Sequence, residues 1–96
     1  MPTESEAEKI TETKIWFLYM IRCYSGQLYT GITTDVARRF AAHEAGKGAK
    51  FLRGKGPLAL QLQMQVGTHS EALKKELQIK KLSKAAKEQF ILQQSI

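Results

Sequence analysis

Glu76 has a polarity that contradicts its helical position. Taking about 100° per residue, Ala72, Leu73, Leu77, Ile79 and Leu82 outline one apolar arc, and Glu76 falls inside it. Lys74, Lys75, Gln78 and Lys81 already fill the opposite side. Burying an unpaired carboxylate is costly, so such a group is paired, protonated or bound to a metal. A structural ion pair with Lys80, one turn on, is the plain alternative. Arg39 and His43 make a related anomaly, because they share a face with Val36 and Phe40 and so lean toward the core. A guanidinium there offers a planar fork to a phosphate, and an imidazole can move a proton. The alternative is an Arg stem lying along Phe40 beside a hydrogen-bonded His. Two phenols, Tyr19 and Tyr29, stand in flanking β-prone runs, and Gly31 follows the second. Glycine weakens a short strand unless something must come close to its backbone.

The elements that must position these groups follow from periodicity and punctuation. Residues 15–22 form a continuous apolar run, a turn-rich stretch follows at 24–27, and residues 28–32 are again β-prone, which predicts a hairpin with both strands buried on two faces. Tyr19 and Tyr29 share a face only if paired residue numbers sum to an even value, which requires an odd-numbered loop. Thr33, Thr34 and Asp35 offer caps to a helix over 36–45 that Gly46 stops. Lys47, Lys50, Arg53 and Lys55 then alternate with glycines in an exposed cationic loop, with one short helical turn around 49–53. Leu58, Leu60, Leu62, Met64 and Val66 alternate with small or polar residues, the period of an edge strand with one polar face. Thr68 and Glu71 have capping-box spacing for a helix to about residue 82, and Ser83 can cap another through residue 92. The order is strand, strand, helix, strand, helix, helix.

Composition narrows the function classes. The chain of 96 residues has the size of one domain, with residues 1–13 reading as a disordered polar tail and 14–94 as the folded unit. Its charge of +6 is uneven: residues 1–14 carry four Glu against Lys9 and Lys14, leaving the rest near +8. A basic body of this size favours polyanions, since each phosphate neutralised releases condensed counterions. No apolar run is long enough to span a bilayer, and the acidic N-terminal stretch is unlike a signal peptide, which argues for a cytoplasmic protein that leaves membranes alone. Cys23 is the single cysteine, so neither an internal disulfide nor a cysteine zinc site is available.

Together these residues resemble the GIY-YIG endonuclease superfamily, and within it the small single-domain bacterial branch. Phe17-Leu18-Tyr19 stands where the family has Gly-Ile-Tyr, and Tyr29-Thr30-Gly31 stands where it has Tyr-Ile-Gly. Arg39, His43 and Glu76 match the motif Arg, the His or Tyr one turn later and the metal-binding Glu of a later helix. The resemblance implies an α+β fold in which a small three-stranded antiparallel sheet is flanked by helices. It also implies a DNA endonuclease of repair or structured-DNA processing that uses one Mg²⁺ or Mn²⁺. Glu76 would hold the ion, Tyr29 would activate a water, Tyr19 would position or deprotonate it, Arg39 would neutralise charge on the phosphate, and His43 would orient Tyr29 or relay its proton. Lys47, Lys50, Arg53 and Lys55 would contact the phosphates of DNA, branched or single-stranded, with a protein partner supplying further specificity. Two departures stand out. Phe17 replaces the motif glycine, and the chain contains no Asn, where many members carry one after the metal-binding Glu. The rival reading is a non-catalytic nucleic-acid-binding or adaptor domain that keeps the nuclease fold.

Overall fold

The computed structural model describes residues 14–94, so the polar tail expected at 1–13 lies outside the described residues. Three strands form one antiparallel sheet: β1 (Trp16–Arg22), β2 (Leu28–Thr33) and β3 (Ala59–Gly67), in the order β2-β1-β3. Helix α1 (Val36–Glu44) and a 3₁₀ turn (Lys50–Leu52) lie between β2 and β3, and α2 (His69–Lys80) and α3 (Lys84–Gln94) follow. The element order and the α+β class are those expected. Of the hairpin strands, only the central one is buried on both faces; β2 is half-buried at an edge.

Of the three candidates before α1 it is Asp35 that caps the helix, and the caps expected for the two later helices form. Asp35 accepts from the Arg38 amide at the start of α1, Thr68 and Glu71 make the reciprocal capping box of α2, and Ser83 accepts from the Ala86 amide of α3. The hairpin register pairs Phe17 with Thr33 and Arg22 with Leu28, leaving residues 23–27 as a five-residue loop. Its odd length puts Tyr19 and Tyr29 on one face, as the parity argument requires.

The sheet carries a core on each side. Leu18, Met20 and Leu62 point to one face, where Ile79 and Ile91 of α2 and α3 cover them. Tyr19, Ile21 and Cys23 point to the other, where Val36 of α1 and Leu52 of the 3₁₀ turn close the layer. Strand β3 departs from its expected single apolar face. Its register against β1 slips between Met20 and Ile21 and again between Trp16 and Phe17. The first slip sends Leu60 to the α1 side while Leu62, Met64 and Val66 stay on the α2 side. One extra residue in a strand reverses every side chain before it, so this edge strand serves both cores.

Candidate active site

On the α1 face, three of the sequence-selected side chains, Tyr29, Arg39 and His43, gather around a fourth, the Tyr19 phenol. Tyr19 is 2% exposed, and its hydroxyl lies 2.8 Å from Nε2 of His43, itself 3% exposed. The other imidazole nitrogen, Nδ1, accepts from the Ala49 backbone N–H at 3.0 Å. A neutral ring with Nδ1 committed as acceptor carries its proton on Nε2, so His43 donates to Tyr19. Tyr29 completes the cluster, its ring centroid 6.2 Å from Tyr19 and 5.5 Å from His43. The hydrogen bond of His43 goes to Tyr19 while its ring meets Tyr29 edge-on, so the three rings form a triangle rather than a line.

Two glycines make this packing possible. Gly31 sits opposite Tyr19 across the ladder, and a Cβ there would lie 2.5 Å from the Tyr19 hydroxyl oxygen. What approaches the backbone at Gly31 is thus the phenol of the neighbouring strand. A Cβ on Gly48 would collide with Nδ1 of His43, so the loop can pass close enough for Ala49 to reach the ring only with glycine there. Gly48 and Ala49 escaped the sequence reading, because nothing in a glycine-rich loop marks which glycine faces a side chain.

Charge at the cluster follows from burial and from Arg39. Burial pushes the Tyr19 phenol well above its ordinary value, and the neighbouring Tyr29 adds to the rise, while the Arg39 guanidinium opposes it. Tyr19 is accordingly a neutral hydrogen-bonding phenol near neutral pH. His43 is lowered, first by burial and then by Arg39, which keeps the ring neutral. Arg39 itself is exposed rather than leaning into the core; it lines a cleft with Thr33, Thr34, Asp35, Arg38 and Ala42 and acts on both buried groups from that rim. An exposed guanidinium at the rim of this cluster can present its planar fork to a phosphate.

Glu76 approaches from the other side of the sheet. The apolar arc of α2 is narrower than the wheel implied: Ala72 and Ile79 are buried, but Leu73 and Leu77 are 41% and 58% exposed. Glu76 therefore stands at the border of the packed face, and its carboxylate meets Lys80 Nζ at 3.3 Å. The expected i,i+4 alternative does form. Lys80 also lines a groove with Leu28, Tyr29, Thr30, Phe51 and Lys87, so the Glu76–Lys80 pair shares its neighbourhood with Tyr29. Among the described residues no three His, Cys, Asp or Glu side chains converge into a ready-made metal cage. A single carboxylate still suits Mg²⁺, which keeps several waters and takes its other oxygens from a substrate phosphate.

In the cationic loop, Lys47, Lys50 and Arg53 are exposed, as expected, but Lys55 is half-buried. Its ammonium lies 3.5 Å over the Phe51 ring and donates to Gln27 Oε1 at 3.3 Å, which ties it to the fold. Phe51 was missed from sequence, although an aromatic among loop lysines was the available signal. No helix among the described residues is long and apolar enough to cross a membrane.

Comparison with known proteins gives the same architecture. Residues 15–89 match the GIY-YIG catalytic domain. A UPF0213 protein of Cronobacter sakazakii is 62% identical over 76 residues, covering 79% of this chain and 80% of that one. A UPF0213 protein of Yersinia pestis is 58% identical over 80 residues, covering 83% and 84%. Among solution structures, a UPF0213 protein of Bacillus halodurans aligns at TM-score 0.53 with 42% identity, over 80% of this chain and 82% of that one. A protein of E. faecalis aligns at 0.60 with 34% identity, over 85% and 88%. Since the catalytic-domain match spans both tyrosines, Arg39, His43 and Glu76, and the relatives share most of their length with it, the chain belongs to the GIY-YIG family of nuclease domains as one of its small UPF0213-type members.

Proposed function

We propose that this protein is a divalent-metal-dependent endonuclease that hydrolyses phosphodiesters of DNA, acting in repair or in the processing of structured DNA. The observation that carries the reading is the directed chain of donors: the Ala49 amide to His43, and His43 to Tyr19, beside Tyr29 and under Arg39. A buried, neutral Tyr19 has its oxygen occupied as an acceptor and its own proton free to donate toward Tyr29. Tyr19 then stands as a donor beside Tyr29, and Tyr29 is the phenol left to act as general base toward the attacking water.

In the proposed reaction a water attacks phosphorus in line with the leaving oxygen. As the new P–O bond forms, the water's proton passes to the Tyr29 oxygen and the Tyr29 proton to solvent, while the P–O bond to the leaving oxygen breaks and that oxygen takes a proton from solvent. Arg39 faces the charge that accumulates on the non-bridging oxygens. Glu76 would hold one Mg²⁺ or Mn²⁺, which supplies Lewis-acid stabilisation of that charge. Lys80 must release the Glu76 carboxylate for this, and an i,i+4 pair whose Lys80 side chain is half-exposed is weak enough to yield. Lys47, Lys50 and Arg53 would hold flanking phosphates without reading sequence.

The Glu76–Lys80 pair also favours a second reading, a nucleic-acid binder in which Glu76 is structural. Both are tested by incubating the protein with labelled branched, duplex and single-stranded DNA in Mg²⁺, Mn²⁺ or EDTA, alongside Glu76→Gln. The nuclease reading expects metal-dependent cleavage that Glu76→Gln abolishes with the melting temperature kept. A destabilised but fully active Glu76→Gln would reject the metal role, and binding unaffected by metal without cleavage on any substrate would favour the binder.

A further inference from the structure

Among the described residues strand β2 is an edge of the sheet, and the groove there draws its walls from both faces. Leu28 and Thr30 face the α2 and α3 side, Tyr29 faces the α1 side, Phe51 comes from the 3₁₀ turn, and Lys80 and Lys87 come from α2 and α3. The floor is apolar and aromatic, the rim is cationic, and the volume is about 220 Å³. Phe51 is 43% exposed, and its ring stacks on that of Tyr29 with centroids 6.1 Å apart and planes 23° off parallel. The Lys55 ammonium sits over the same ring but is not a wall of the groove, so it steadies Phe51 without filling the space.

We infer that this groove takes one unpaired nucleobase of the strand being cut, stacked against Phe51 and Tyr29, while Lys80 and Lys87 hold the phosphates on either side of it. The inference rests on the reading of the α1 face as a phosphodiester site, and it adds the substrate class. An aromatic face is sequence-tolerant, because every base has a π-face, and neutral rings beside two ammonium groups match an apolar base on a charged backbone. A base paired within a duplex cannot present its face to a protein ring, so the strand must be single-stranded, frayed or flipped at this position. Tyr29 belongs both to this groove and to the phenol cluster, so seating the base beside it would place an adjacent phosphate near Arg39.

The test is a binding measurement in EDTA, which separates it from turnover. Affinities are measured for single-stranded oligonucleotides in which one abasic residue is moved along the strand, and for the fully paired duplex. Wild-type protein is expected to lose roughly tenfold in Kd at one position of the scan. Phe51→Ala should bind the intact strand about tenfold more weakly and show no abasic penalty, whereas Phe51→Trp should retain the penalty and report stacking by quenching of its indole fluorescence. Phe51→Leu, which keeps apolar bulk but no aromatic face, controls for folding and should behave as Phe51→Ala. An abasic penalty that survives in Phe51→Ala and Phe51→Leu, or equal affinity of the wild type for duplex and single strand, would overturn the inference while leaving any metal-dependent cleavage intact. A Phe51-dependent penalty in a protein that cuts nothing would uphold the groove and remove the nuclease reading instead.

Discussion

At the level of single residues, His43 is the group whose ionisation the fold controls most directly. Burial and Arg39 lower it below the ordinary histidine value of 6.5. As pH falls, the unfolded chain therefore takes up this proton before the folded one, and folding stability drops with it. The contribution is complete above 6.5 and is lost as pH falls through that value toward the folded one. Melting temperature followed by circular dichroism should decline from about pH 7 to pH 5, and His43→Gln should flatten that slope. A slope unchanged in the variant would assign the titration to another group. The sequence placed His43 on an inward face through its spacing from Val36 and Phe40, but its partner could not be read. Whether an imidazole meets Tyr19 or Tyr29 depends on how far α1 lies over the sheet.

The elements explain where charge is available and where it is spent. Lys47, Lys50 and Arg53 stand exposed on the loop between α1 and β3, and the loop's inner side is held by Ala49 on His43 and by Leu52 in the core. Replacing any of the three by Ala should weaken DNA binding similarly across sequences and reduce the slope of log K against log salt by about one unit where that residue makes a full phosphate contact. Lys55→Ala should leave the slope nearly unchanged and instead cost about 0.5–1 kcal/mol of stability through its contact with Phe51. Fluorescence-anisotropy titrations at several salt concentrations measure the first effect and thermal melts the second. Slopes unchanged in all three variants would place the DNA surface elsewhere. Strand β3 shows the complementary limit of reading elements from sequence. Its alternation predicted a strand correctly, yet the bulge that turns Leu60 to the other core costs only one unpaired residue and leaves the period intact to the eye.

Across the whole of the described residues, an ion pair ties α3 to β1. Arg22, at the end of β1, donates from two nitrogens to Glu88 of α3 at 2.7 and 2.6 Å, and Lys84 adds a third contact at 3.3 Å. These partners hold the Glu88 carboxyl down at about 2, against an ordinary 4.5. Its stabilising effect is therefore present above 4.5 and fades as pH falls toward 2, where the folded carboxylate finally takes a proton. Glu88→Gln should lower stability at neutral pH by on the order of 1 kcal/mol, since the pair is bidentate but part-exposed. That corresponds to a fall in melting temperature of roughly 4–8 °C. The difference from wild type should vanish in acid, and a variant equally less stable at pH 3 and pH 7 would show that the loss is one of packing rather than charge.

What the sequence determined by itself is what depends on local periodicity and chemistry. Caps at Asp35, Thr68 and Ser83, the presence of the hairpin and the basic loop after α1 all follow from neighbours a few residues apart, whereas the odd length of the hairpin loop entered only as the condition for Tyr19 and Tyr29 to share a face. The two phenols, Arg39, His43 and Glu76 could be singled out because their order and spacing match a family pattern that now covers residues 15–89. The tertiary structure alone decided the rest, for reasons that lie in contacts between distant segments. It put Gly48 under an imidazole, made Leu73 and Leu77 solvent-facing by narrowing the buried side of α2, and left the Glu76–Lys80 pair at the border of that side. It also set β2 at the edge of the sheet, where groups from opposite faces can reach around a single strand and share one groove.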